Sequence, residues 1–285
     1  MKKGLLLVVV AVASVAMLRA QAPGPPTFDV AAIKQNKSGD NGGRLGGPPT
    51  RWTATNVPTL QFILFAYEVQ GFQVEGAPDW VKNDRYDINA KSDRTFPPAA
   101  PGAPDLRRPM LRALLEDRFK LAVHRATKEL PIYELVMARA DKSPGPQLHL
   151  SSTDCPARIA AGNRGQAPAT APRTAEGISD CALSLFPGRI ESGTQPMTQL
   201  ASTLSLILQR VVVDRTGLRG TYNAILKWTP DTASPVEAGP DLPAADPNGA
   251  SLFTALQEQL GLKLEPARGP VEVLVIDHIE RPTED

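Results

Sequence analysis

One pattern in this chain occurs twice. The stretch RWTATNVPTLQF (residues 51–62) and the stretch RIESGTQPMTQL (residues 189–200) carry Arg, Pro and Gln at matched places, each pair 138 positions apart. Each stretch alternates like a strand and then passes through a proline into a helical pattern, and proline is favoured at helix starts. The repetition predicts two similar halves that pair about a pseudo-twofold axis.

Apolar positions further along the chain repeat in the same way. Four of them recur at an offset of 141: Leu111, Leu115, Phe119 and Leu121 correspond to Leu252, Leu256, Leu260 and Leu262. A few extra residues in connecting loops account for the change of offset, because loops tolerate insertions. Chance similarity between amphipathic helices is the alternative, and the shared order of strands and helices argues against it.

Proline and glycine concentrate in four segments, residues 39–49, 96–109, 143–172 and 230–249, which we interpret as loops or linkers. The predicted organisation is a signal peptide at 1–22, a first repeat at 23–140, a linker with the two cysteines at 141–185, and a second repeat at 186–285. Each repeat is predicted as β-α-β-β-α-β-β. Its last two strands are placed at 119–125 and 131–139 in the first half, and at 262–269 and 270–280 in the second.

The chain starts with a charged Lys2-Lys3 pair, an apolar run over residues 5–18 and an Ala-Gln-Ala sequence that ends at Ala22. This order is typical of a signal peptide cleaved after Ala22, so we expect a periplasmic or secreted protein. An uncleaved anchor is the alternative, but about 14 apolar residues are fewer than the ~20 that span a bilayer. No membrane span is expected after cleavage.

The charge balance excludes some partners. Cleavage would leave 28 basic and 30 acidic residues, so the mature chain has no excess positive charge with which to attract nucleic acid. Cys155 and Cys181 are the two cysteines, and export would place them where disulfides form. We expect them to be bonded, with two buried free thiols as the alternative.

Motifs that carry chemistry are missing from the sequence. His124, His149 and His278 have no partners at a metal-ligand spacing, and Asp277-His278 are strand neighbours that face opposite sides of a sheet. The glycine-rich run GGRLGG (residues 42–47) lacks the nucleotide-binding spacing, and no nucleophile elbow occurs. We therefore predict no catalytic residue, no metal and no cofactor.

The candidate binding feature is the segment APDWVKNDRY (residues 77–86), predicted as a loop between two strands. It offers Trp80, Asp84, Arg85 and Tyr86, and loops with aromatic and arginine residues often form binding surfaces. A tryptophan packed beneath its own loop is the alternative. We expect a partner to contact this loop together with a nearby exposed strand edge, whose unpaired backbone groups accept an added strand.

Several longer stretches carry a resemblance: FDVAAIKQN, GAPDWVKNDRYDINAK, LLEDRFKLAVHRATKELPIYELV, VVVDRTGLRGTYNAILKWTPD and SLFTALQEQLGLKLEPARGPVEVLVIDHIERP. Together they resemble a family of exported soil-bacterial proteins of unknown function, which implies export and no assigned activity. The runs MTQLASTLSLILQRVVVD and SLFTALQEQLGLKLEPARGPVEVLVI are similar to the short N-terminal domain of secretins and TonB-dependent receptors. That similarity implies a role in protein contacts.

The sequence thus predicts an α+β fold of two pseudo-repeats, with antiparallel strand pairs packed on helices. The expected function is a non-enzymatic envelope module that binds a protein or ligand, as a sensor or scaffold. A cell-wall or carbohydrate-active enzyme is the alternative, which two acidic groups close together in a cleft would favour. A purely structural domain is the third possibility.

Overall fold

The computed structural model describes residues 26–40, 42–47, 50–93, 105–155, 181–230 and 249–283. The predicted signal peptide lies outside these ranges, as does most of the linker between the two cysteines. The strands and helices given below are those of the described residues.

Twelve strands in the described residues form three four-stranded sheets. In chain order they are β1 (Val30–Gln35), β2 (Arg44–Gly46), β3 (Arg51–Pro58), β4 (Val74–Glu75), β5 (Arg85–Lys91), β6 (Ala122–Met137), β7 (Leu148–Leu150), β8 (Leu183–Phe186), β9 (Arg189–Gln195), β10 (Val212–Asp214), β11 (Tyr222–Lys227) and β12 (Leu262–His278). The strand orders are β1-β5-β3-β2, β10-β6-β12-β4 and β7-β11-β9-β8. Pairing is antiparallel except at β4 and β10, which run parallel to β12 and β6.

The helices pack against these sheets. They are α1 (Thr59–Tyr67), α2 (Asp79–Asn83), α3 (Arg107–Arg118), α4 (Met197–Leu208) and α5 (Leu252–Ala255), which continues as a π-helical stretch over Leu256–Leu260. As the sequence indicated, α1 and α4 each begin directly after a proline, Pro58 or Pro196. Mixed helices and largely antiparallel sheets confirm the α+β fold class.

A long two-stranded ribbon, formed by β6 and β12, runs through the centre of the molecule. The two strands pair in antiparallel register from Leu262 opposite Met137 to His278 opposite Ala122. The sequence predicted two strands in place of each, and that prediction was wrong. Pro131 and Pro270, at which the second strand of each predicted pair starts, lie inside continuous strands.

The ribbon tolerates its prolines because of the side to which they face. Tyr133 donates its backbone N–H to Val211 at 2.8 Å, so its backbone faces away from β12. Hydrogen-bonding direction alternates along a strand, which places Pro131, two residues earlier, on the same outward side. Pro266 lies opposite Tyr133, and Pro270 follows four residues later. The nitrogens of all three prolines therefore point away from the partner strand, where no ladder hydrogen bond is needed.

Each end of the ribbon enters a separate hydrophobic core. Leu274 and Ile276 pack in the first core, with β1, β3, β5, α1 and α3. Leu135 and Leu262 pack in the second, with β9, β11, α4 and α5. The ribbon therefore connects the two halves through continuous backbone and buried side chains.

The two halves present their elements in the same order. Strand, helix, strand and strand follow one another as β3, α1, β4 and β5 and again as β9, α4, β10 and β11, although the first half adds a 3-10 helix (Gly71–Gln73) and α2. The central sheet mixes strands of both halves, since β4 pairs with β12 and β10 pairs with β6. Duplication of an ancestral unit stays a prediction, which superposition of residues 51–91 on 189–227 tests.

Cys155 and Cys181 form a disulfide, with their Cα atoms 5.5 Å apart, which confirms the predicted pairing. Among the described helices, none is long and apolar enough to cross a membrane.

Candidate binding site

The segment predicted as a loop contains a short helix. α2 spans Asp79–Asn83, begins after Pro78 and carries Asp79 in its first turn, where a negative charge is favoured. Its Val81 is fully buried in the first core, which fixes the orientation of the turn. The helix ends where Asp84 donates its backbone N–H to the Trp80 carbonyl at 2.7 Å. Trp80 and Asp84 are thereby held one turn apart on one short element.

Trp80 and Asp84 both contact Arg281, a residue that the sequence did not indicate. The guanidinium carbon of Arg281 lies 5.1 Å from the centroid of the Trp80 ring. The same side chain donates from Nε to Oδ2 of Asp84 at 2.8 Å. Trp80 is half-buried: one part of its side chain packs on the first core, and another part is open to solvent. No periodic pattern near residue 281 could have indicated this contact.

The other two predicted residues serve the fold. Arg85 donates from Nη1 to the backbone carbonyl of Asn56 at 2.9 Å. Tyr86 is only 2 % exposed, and its ring meets Phe119 edge to face at 5.6 Å between centroids. The structure thus brings Trp80 and Asp84 together at the surface, and directs Arg85 and Tyr86 toward neighbouring strands and the core.

Arg85 belongs to a network around a bulge in β3. Asn56 has a positive φ of 54°, and its backbone N–H donates to Oδ1 of Asp87 at 2.7 Å. Its side chain also donates to the carbonyls of Asp40 and Gly42, both at 2.8 Å. The bulge is therefore fixed from both sides, by β5 and by the segment before β2.

A bulge of the same kind occurs in the second half. Thr194 has a φ of 55°, and its backbone N–H donates to Oδ1 of Asn223 at 2.8 Å. The Thr194 hydroxyl is also hydrogen-bonded to Ser151 at 2.8 Å. A positive φ is unusual for a β-branched residue. At the bulge, the N–H of Thr194 makes no hydrogen bond in the strand ladder. The side chain of Asn223 on the facing strand accepts this N–H instead and so stabilises the bulge.

The strand edge next to α2 is provided by β1. The segment leads into β5, but β5 lies between β1 and β3 and is not an edge. Asn36, which follows β1, donates its N–H to the Arg85 carbonyl at 2.8 Å. The alternation along the strand then directs the backbone groups of Ile33 and Gln35 outward. No described strand pairs with that side of β1.

One outward group of β1 is already engaged. The carbonyl of Ala31 accepts from Nη1 of Arg118, at the end of α3, at 3.2 Å. Ile33 is fully buried, so its outward groups are covered too. The accessible part of the edge is therefore its end at Gln35, which lies beside Arg85 at the end of the Trp80 segment.

A second group of aromatic and arginine contacts lies over α1. The Phe65 ring has the guanidinium groups of Arg107 and Arg108 at 5.9 and 5.7 Å. The hydrogen bond from Arg107 lowers the pKa of the Asp105 carboxyl, and burial raises the pKa of Tyr67. Asp105 is paired with Arg107, and the guanidinium of Arg112 lies over the Tyr67 ring, which is typical of surface packing.

The histidines pair with carboxylates on the surface. Nδ1 of His124 lies 2.9 Å from the carboxylate of Asp277 on the facing strand, and Nε2 of His278 lies 2.9 Å from Oε1 of Glu280. Asp277 therefore contacts His124 and not its sequence neighbour His278. Within the described residues, no group of three or more His, Cys, Asp or Glu side chains could hold a metal ion.

Comparison with known proteins gives one match. The model of a family described as "Protein of unknown function (DUF3738)" matches residues 60–279, which covers 220 of the 285 residues. The match includes Trp80, Asp84 and the ribbon, and it excludes β1 and Arg281. No curated protein and no solved structure matches the chain.

Proposed function

Since the chain belongs to this family of proteins of unknown function, whose description gives no activity, we propose a function from the geometry. The chain is an exported, non-enzymatic module of the cell envelope that binds a partner protein, as a sensor or scaffold. It does so by accepting an extended segment of the partner at the outer edge of β1, next to the Trp80 segment.

The observation that carries this proposal is the end of the β1 edge at Gln35. The strand has six residues and contains no proline, and the outward backbone groups of the half-buried Gln35 face no described strand, whereas Ile33 is fully buried. Such groups can pair with an added strand, which is a common mode of peptide recognition. The side chain of Val30, 64 % exposed at the start of the strand, adds apolar area.

The other described edges suit this role less well. β2, β7 and β10 have three residues each, β4 has two and β8 has four. The outer edges of the ribbon are longer, but Pro131, Pro266 and Pro270 lie at their outward positions. Proline at an edge prevents strand addition because it removes the donor. β1 is therefore the longest edge strand without a proline at an outward position.

Two further features support the proposed location and role. The predicted signal peptide that ends at Ala22 and the disulfide between Cys155 and Cys181 are both typical of exported proteins. The resemblance inferred from the sequence to the short domain of secretins and TonB-dependent receptors would imply protein contact. These features support export to the periplasm or the medium.

The proposal predicts a difference between two variants at Gln35. The N–H of Gln35 faces outward, so Gln35→Pro removes a donor for the partner but no bond to β5. Gln35→Ala removes the side chain and keeps the donor. With the mature protein as bait in envelope extract, we expect Gln35→Pro to retain about tenfold less partner than wild type, as measured by quantitative mass spectrometry. Gln35→Ala should retain a near wild-type amount.

Thermal melts of both variants provide the control for folding. Equal capture by folded Gln35→Pro and Gln35→Ala would show that the β1 edge does not bind the partner. If the wild-type protein captures nothing above background, the binding proposal is wrong, and a purely structural role is favoured.

A further inference from the structure

Trp80 and Asp84 already hold a ligand, and that ligand is part of the same chain. The guanidinium of Arg281 lies over the Trp80 ring and is hydrogen-bonded to Asp84. We infer that Trp80 and Asp84 form a recognition site for an arginine side chain of the partner, and that Arg281 occupies this site when no partner is bound. The inference rests on the proposed binding function and adds the chemistry of the ligand.

The two residues provide what a guanidinium needs. The face of an indole ring attracts a cation, and the planar guanidinium can stack on it while its edge donates to a carboxylate. The distances of 5.1 Å to the ring centroid and 2.8 Å to the carboxylate oxygen match these two interactions. A lysine ammonium is a compact charge without a planar face. The site therefore favours arginine over lysine.

Arg281 is held in a way that allows exchange. Its side chain is 59 % exposed, whereas that of Asp84 is 20 % exposed. An exposed ion pair and an exposed cation–π contact are both weak, so a competing guanidinium can replace Arg281.

The segment that carries Arg281 is fixed independently of this side chain. Glu280 donates its backbone N–H to the Phe119 carbonyl at 2.7 Å, and Ile279 packs on the first core. Arg281→Ala should therefore vacate the site and leave the segment in place.

The site also adjoins the end of β5 that pairs with the end of β1. Arg85, which follows Asp84, accepts from Asn36 at the end of β1. A strand added outside β1 would lie about 10 Å from β5, because neighbouring strands are about 4.8 Å apart. An arginine near the end of that strand could extend toward Asp84. One partner segment could thus use both the edge and the site.

The test follows the indole N–H signals of the full mature chain by NMR, with the Trp80 signal assigned by its loss in Trp80→Phe. The probes are three capped tripeptides, acetyl-Gly-X-Gly-amide, in which X is arginine, lysine or citrulline. Citrulline is the neutral isostere of arginine. The proteins are wild type, Arg281→Ala, and Arg281→Ala combined with Asp84→Asn.

We expect the arginine peptide to shift the Trp80 signal of Arg281→Ala with about tenfold tighter binding than in wild type, the factor expected for removing a weak internal competitor. The lysine peptide should bind more weakly, and citrulline should cause no saturable shift. Adding Asp84→Asn should abolish the binding. The inference is overturned if the arginine peptide leaves the Trp80 signal of Arg281→Ala unchanged, or if citrulline binds as tightly as arginine. Equal affinity in wild type and Arg281→Ala would overturn the role of Arg281.

This outcome is separate from that of the capture experiment. Tripeptide binding without any captured partner would support the arginine site and reject the proposed function. Capture that depends on Gln35 without tripeptide binding would support the function and reject the arginine site.

Discussion

Replacing Trp52 by alanine is expected to lower the free energy of unfolding by about 3–5 kcal/mol, the range for truncating a large buried aromatic residue. Trp52 is 2 % exposed, and its ring lies 5.8 Å from Phe62, 6.3 Å from Phe65 and 6.5 Å from Phe28, measured between centroids. These rings join β3, α1 and the chain before β1. The variant should therefore loosen the sheet that presents the β1 edge.

Thermal and denaturant unfolding measure this effect, and the loss corresponds to a fall of roughly 10 °C in Tm for a chain of this size. Val30→Ala is the matched control, because Val30 is exposed and its truncation should change stability by less than about 0.5 kcal/mol. Similar unfolding curves for the two variants would show that Trp52 is not central to the first core.

The second large effect is expected from removing the disulfide. A chain in which both Cys155 and Cys181 are replaced by serine should lose about 3–4 kcal/mol, because the bond closes a loop over a sequence separation of 26 residues in the unfolded chain. Denaturant unfolding of wild type with and without reductant, beside the double variant, measures the difference. Reduced wild type should match the double variant.

Two results would contradict this prediction. Equal stability of oxidised and reduced wild type would show that the bond adds nothing to the free energy of unfolding. Alkylation of two thiols in unreduced mature protein would show that the bond does not form.

Local patterns in the sequence predicted much of this fold. The helices after Pro58 and Pro196 followed from apolar spacing and a proline start, and the α+β class followed from alternating strand and helix patterns. These features depend on residues close together in the chain, so their physical cause is visible in a short window.

The ribbon could not be predicted in this way. Whether Pro131 breaks a strand depends on whether its nitrogen faces a hydrogen-bonding partner, and the partner strand is more than a hundred residues away. The same limit applies to α2. A five-residue helix is stabilised by the burial of Val81 and not by its own sequence.

The sequence predicted part of the cluster around Trp80, and its role in binding stays a prediction. An aromatic ring and a carboxylate in one segment indicated a binding surface, and the structure places Trp80 and Asp84 together. Arg281 was missed because it follows β12, nearly 200 residues further along the chain. Tyr86 and Arg85 were grouped with Trp80 by proximity in sequence, but alternation along β5 directs Tyr86 into the core.

Amide hydrogen exchange of the complex with the captured partner tests the central claim most directly. The account predicts that the amide of Gln35, which faces outward from β1, exchanges at least about tenfold more slowly in the complex than in the free protein. The amide of Asn36, which already donates to Arg85, should change little. Unchanged exchange at Gln35 while the partner is bound would contradict binding at this edge.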